Sequence, residues 1–134
     1  MSEAASHLLD ANVLIALTMP EHEHHETARN WLTRNPKFTL CPITEGAMMR
    51  FMTRLGETPL TAQSVLRAVR ALPNAHFIGD TITYLDIDIS SITGHRQWTD
   101  TYLVTLASAH GLRLATFDRA LATLYPEHVE LITG

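Results

Sequence analysis

Cysteine is almost absent from this sequence: Cys41 stands alone, so no disulfide can close within the chain. It sits in the apolar run FTLCPI, where a buried structural thiol is expected rather than a nucleophile. The lack of a cysteine framework fits a reducing compartment. Lysine is equally scarce. Lys37 is the sole one, and the other nine basic residues are arginine, whose planar fork suits bidentate phosphate contact. There is no polybasic tail, repeat, linker or low-complexity tract. Long hydrophobic runs are missing too. The opening MSEAASHLLDANVLIAL carries no leading basic region, and Asp10 and Asn12 interrupt its apolar stretch. Neither a signal peptide nor a membrane span is expected, and the expected location is the cytoplasm.

What is present is a chain of 134 residues, long enough to bury a core without staples and expected to form a single domain over residues 1–134. Short apolar runs at Ser6–Leu9, Lys37–Leu40, Leu112–Thr116 and Val129–Ile132 read as buried strands. Between them lie helical patterns over Asn12–Leu17, Glu21–Thr33, Thr44–Leu55, Thr61–Leu72, Thr99–His110 and Asp118–Tyr125. Thr61 is the expected N-cap of its helix, Pro73 its stop, and Gly56 and Gly111 the expected helix ends. The stretch Ile78–Ile89 is ambiguous: a short irregular strand, then a small helix around Ser90–Thr93. Strands alternating with helices predict an α/β fold, a central parallel sheet with helices on both faces.

Four acids stand where a strand hands over to a helix: Asp10 in LLDANVLIAL, Glu45 in CPITEGAMMRF, Asp100 in QWTDTYLVTLA and Asp118 in LATFDRAL. Each taken singly fits a helix cap or a first-turn acid favoured by the helix dipole. Together they predict more. Open α/β sheets gather ligands outside the carboxyl ends of their strands. Carboxylates there converge, although up to 108 residues separate them in sequence. Converging carboxylates repel one another and raise each other's pKa unless a cation neutralises them. An all-oxygen set suits Mg²⁺ or Mn²⁺, and such an ion points to phosphoryl-transfer chemistry. The net charge of −4 equals the charge of these four acids, so the remainder of the chain is balanced.

The ordered segments LLDANVLIAL, HEHHETARNWL, CPITEGAMMRFMT and WTDTYLVTLASAHGLRLATFDRAL resemble the PIN-domain ribonucleases, most closely the VapC-type toxins of type II toxin–antitoxin pairs. The resemblance covers nearly the whole chain. It implies a PIN-like fold and a metal-dependent endoribonuclease that uses Mg²⁺ or Mn²⁺ to cleave RNA phosphodiester bonds and so inhibits translation. It implies Asp10, Glu45, Asp100 and Asp118 as catalytic and metal-binding residues, with Asn12 and Thr116 as supporting positions. The implied partners are an RNA substrate (tRNA, rRNA or mRNA), a cognate protein antitoxin and a second copy of the chain in a homodimer. Two other readings stay open here: a PIN-like nuclease for RNA processing or structured DNA, and a non-catalytic PIN-like binding module. A receiver-type phosphoacceptor domain would want an acidic pair after its first strand and a late lysine, and the chain has neither. The cluster His22, Glu23, His24, His25 and Glu26 lacks the HExxH order of a zinc site and is expected to be a solvated helix start, with His24 or His25 beside the site. Trp31 and Trp98 are candidates for stacking on bases, against the commoner role of filling core. Met48, Met49 and Met52 are expected in core or partner contacts.

Overall fold

A computed structural model describes residues 6–134. Five short strands form one wholly parallel sheet in the order β3-β2-β1-β4-β5. They are β1 (His7–Leu9), β2 (Phe38–Leu40), β3 (Ala75–Phe77), β4 (Arg113–Thr116) and β5 (Val129–Leu131). The helices are α1 (Ala11–Thr18), α2 (His25–Arg34), α3 (Pro42–Arg54), α4 (Pro59–Arg70), α5 (Gln97–Ala109) and α6 (Arg119–Leu124). The chain first builds outward from β1 through β2 to β3, then returns to lay β4 on the other side of β1. That reversal places the switch point between the carboxyl ends of β1 and β4.

Two cores explain why the central strands read as continuous apolar runs. Leu8 and Leu114 belong to one core with Leu103, Leu106 and Leu121 from α5 and α6. Leu9 and Ala115 belong to the other, with Leu14, Trp31, Met48 and Met52 from α1, α2 and α3. Successive strand residues point to opposite faces, so a strand covered on both sides must be apolar at every position. Met49 packs partly buried against the second core, so the three methionines serve the interior.

Several boundaries differ from the sequence reading. Thr58, not Thr61, caps α4: its hydroxyl accepts the Thr61 N–H at 3.1 Å, and Pro59 occupies the first helical position. Proline at that position needs no hydrogen-bond donor, so the helix starts earlier than its apolar periodicity shows. It ends at Arg70, before Leu72. In α3 the start is Pro42, with Cys41 as N-cap. Strand β3 precedes the segment in which a strand was expected, and Ile78–Ile89 holds instead a 3-10 turn at Tyr84–Asp86, followed by another at Ile89–Ser91. Gly56 and Gly111 close their helices at φ +100 and +71, where a side chain would be strained. No helix among the described residues is long and apolar enough to cross a membrane.

A polar clasp ties the sheet to α2. The Glu130 carboxylate on β5 accepts the indole N–H of Trp31 at 2.9 Å, lies 2.8 Å from His7 Nε2 and takes a longer contact of 3.4 Å from Arg113. Partial burial raises the carboxyl, but the bonds from Trp31 and His7 and the charges of His7 and Arg113 outweigh it and hold it below its usual range. Trp31 is only 3% exposed, so it is core and cannot stack on a base. Glu130→Ala leaves that indole N–H without a partner and is expected to cost about 2 kcal/mol, read from the urea midpoint at pH 7.

Candidate active site at the switch point

Asp10 follows the last residue of β1 and is carried by the sheet itself, its own N–H bonding to the Ala115 carbonyl at 2.9 Å. Its Oδ1 caps α1 through the Ala11 N–H at 2.8 Å. Its Oδ2 accepts the hydroxyl of Thr116, the last residue of β4, at 2.7 Å. The same Thr116 oxygen accepts the Asp118 N–H at 3.0 Å and the Asn12 amide at 3.3 Å. A hydroxyl has one proton and two lone pairs. All are committed here, so one fully buried threonine fixes the first acid, the second strand end and the start of the last helix together. Asn12 reaches on to Phe117 N–H at 3.5 Å. Beside it the His24 ring stacks on Phe117, with centroids 4.7 Å apart. His25 instead lies 2.7 Å from the Ala16 carbonyl through Nδ1.

Asp118 caps α6, accepting the Leu121 N–H on Oδ1 at 3.1 Å. Capping is therefore a true role of both Asp10 and Asp118. Asp100, in the first turn of α5, has no such role: its half-buried carboxylate accepts no hydrogen bond from the described residues. Burial pushes its pKa up, and the charges of Asp10 and Asp118 add to the effect, to about 6. Asp10 is raised as well, chiefly by burial and slightly by Asp118, against the lowering bonds from Thr116 and Ala11. Three of the four acids thus feel one another across the switch point.

Glu45 stands apart from this trio. It forms an ion pair with Arg70 at 3.1 Å and is not among the charges that act on Asp10 or Asp100. Arg70 also lies over the Phe77 ring, 4.3 Å from its centroid. Nothing in the sequence pairs residues 25 apart on separate helices, so this contact was not legible there. Asp80, just beyond β3, is a further acid the sequence reading passed over; its charge helps burial raise the Cys41 thiol, which is fully buried.

Among the described residues, no three His, Cys, Asp or Glu side chains stand close enough to ligate one ion as they are. The donor chemistry nevertheless fits a small hard cation. Mg²⁺ commonly takes one or two carboxylates, keeps several waters and completes its shell with substrate phosphate. Asp100 offers both oxygens and Asp118 its second, and a cavity of about 200 Å³ opens beside them.

A parallel α/β sheet with mutually repelling carboxylates at its switch point defines a class: an acid-site α/β protein shaped for cation-assisted work on anionic substrates. The chain belongs to the PIN-domain family, whose model matches residues 7–125. It is 41% identical to Ribonuclease VapC29 of Mycobacterium tuberculosis over 126 residues, spanning 93% of this chain and 95% of that one. It is 39% identical to Ribonuclease VapC38 of the same organism, across 94% and 97% of the two chains. Among solved structures, that of M. tuberculosis VapC20, described as a sarcin-ricin loop cleaving toxin, superposes with a TM-score of 0.70 at 14% identity, covering 90% of this chain and 95% of that one. A toxin–antitoxin complex from Klebsiella pneumoniae matches at 0.68 and 19%, covering 96% and 98%. At these identities the two structures speak for the fold.

Proposed function

We propose that this chain, as one domain, is a metal-dependent endoribonuclease and the toxin of a type II toxin–antitoxin module. The observation that carries the reading is the placement of Asp10, Asp100 and Asp118 around the switch point of a PIN-type sheet, in a chain whose curated relatives are named ribonucleases. The proposed cofactor is Mg²⁺ or Mn²⁺. When bound, such an ion activates water near neutral pH and offsets charge on the phosphoryl oxygens.

The chain's own residues set the stage for that chemistry. Asp100 presents a carboxylate that accepts no hydrogen bond from the described residues. Asp118 presents one oxygen that no described residue bonds, while its other oxygen anchors α6. Asp10 is locked by Thr116, which Asn12 holds in turn. We assign Glu45 to the same catalytic set as its outlying member, positioned by Arg70.

The partner proposed is a protein antitoxin. Two adjoining cavities of about 280 and 380 Å³ share Arg29, Leu32, Phe38 and Leu72 and form an apolar groove between α1, α2 and the end of α4. That shape suits the apolar face of an antitoxin helix. A homodimer of the chain is part of the same proposal. The test is to map RNA 5′ ends in cells after brief induction of the chain or of Asp118→Asn, in which Asn can still cap α6. New, sequence-defined ends are expected with the wild type alone, and co-expression of the antitoxin is expected to remove them. Identical end maps for the two chains would sink the ribonuclease assignment.

A further inference from the structure

The cavity of about 200 Å³ beside the acids lies between α5 and α6 and is lined by Gln97, Thr101, Ala120, Leu121 and Leu124 together with Asp100 and Asp118. We propose that it is a nucleobase pocket, and that Gln97 reads the base lodged in it. This inference rests on the ribonuclease reading and adds to it the residue that sets sequence preference.

Position comes first. Asp100 and Asp118 border both the cavity and the acid site, so its occupant must be joined closely to a phosphate held at those carboxylates. In RNA the groups so joined are ribose and base. The cavity is smaller than the roughly 300–1,000 Å³ typical of drug-sized ligands, a size that suits one ring system. Its Ala120, Leu121 and Leu124 side chains match the flat faces of a base, while Gln97 and Thr101 stand where a base's polar edge would come.

Gln97 supplies the polar edge. Its side-chain oxygen accepts the backbone N–H of Thr93, the Thr93 hydroxyl and the backbone N–H of Gly94. Backbone N–H groups only donate, so the amide cannot be turned the other way round. Its NH₂ therefore points away from the 93–94 turn, and no described residue accepts from it. A fixed pair of donors beside the Ala120, Leu121 and Leu124 wall favours carbonyl edges, such as guanine O6 or uracil O4, and opposes the amino groups of adenine and cytosine. Thr101 and Tyr125 add a hydroxyl pair 3.2 Å apart next to the pocket.

The experiment compares cleavage-site preference for wild type, Gln97→Glu and Ala120→Phe on one pool of short single-stranded RNAs with Mn²⁺. Preference is a ratio between sites, so a general loss of rate does not move it. Glutamate keeps an oxygen for Thr93 and Gly94 but presents an acceptor to the base. At one position next to the cut, wild type is expected to favour G or U, and Gln97→Glu to shift toward A or C by about tenfold. Ala120 is exposed on α6, so phenylalanine there fills the mouth of the pocket and spares the core. It is expected to flatten the preference at that same position and raise KM, with Mn²⁺ affinity unchanged by calorimetry. If wild type cuts and both variants keep its preference, the pocket does not read a base and this inference fails alone. If wild type cuts no RNA, the ribonuclease reading fails and takes the pocket with it.

Discussion

Asp100→Asn is expected to lower RNA cleavage at least a hundredfold while melting at the wild-type temperature or above it. The carboxylate accepts no hydrogen bond from the described residues, and it is repelled by Asp10 and Asp118. Removing its charge relieves that repulsion and strands no donor, while removing an anionic ligand weakens any cation held there. Asp10→Asn gives the contrasting outcome. Asp10 takes two donors, the Ala11 N–H and the Thr116 hydroxyl, and both lone pairs of Thr116 are already used by Asn12 and Asp118. Whichever way an asparagine amide turns, one N–H meets another donor. The expected cost is about 1–3 kcal/mol, reduced by the relief of charge. Calorimetry of the two metal-free variants alongside cleavage assays separates the cases. A purified Asp100→Asn protein that cuts at the wild-type rate would refute the assignment.

The second large effect is a crossing of two pH profiles. In the metal-free protein the Asp100 pKa lies near 6, above its ordinary 3.8, and Asp10 is shifted in the same direction. The folded state then holds these protons more tightly than the unfolded chain. The Asp100 contribution to stability is fully present below the unfolded value and is lost as pH rises through about 6, and Asp10 acts in the same direction. Metal-free protein should therefore gain stability from these groups as pH falls from 7 to 5. Glu130, whose pKa is lowered, weakens the fold only at more acid pH. Mn²⁺ acts oppositely, because cation and proton compete for the same carboxylates. At 100 times its dissociation constant it should raise the melting temperature on the order of 10 °C at pH 7.5. That gain should vanish near pH 5. A Mn²⁺ effect that does not change between pH 5 and 7.5 would place the ion away from Asp100.

The sequence shows clearly what burial imposes. Leu8, Leu9, Leu114 and Ala115 are apolar at consecutive positions because both sheet faces are covered, and that pattern survives without coordinates. The acids at the ends of β1 and β4 and on α5 are legible for the same reason: each interrupts an apolar surround. Strand β3 was not legible, because it lies at the sheet edge with His76 and Phe77 exposed and so carries no burial signature. Gln97 was not legible either. Its meaning comes from where its amide is turned, which Thr93 and Gly94 decide through the fold of a loop. The pairing of Glu45 with Arg70 similarly depends on how α3 meets α4.

Arg70 also bears on how the protein keeps to itself. Among the described residues the outer strand β3 has no partner along its far edge and carries a half-exposed Phe77, the combination on which foreign strands can template aggregation. The edge is three residues long, and a guanidinium sits across the phenyl ring. Shortness and charge both discourage intermolecular strand addition. The arginine that anchors an outlying acid thereby guards the margin of the sheet. A substitution there would release Glu45 and uncover a sticky border at once, so the ion pair between α3 and α4 and the cover of the sheet margin depend on one side chain.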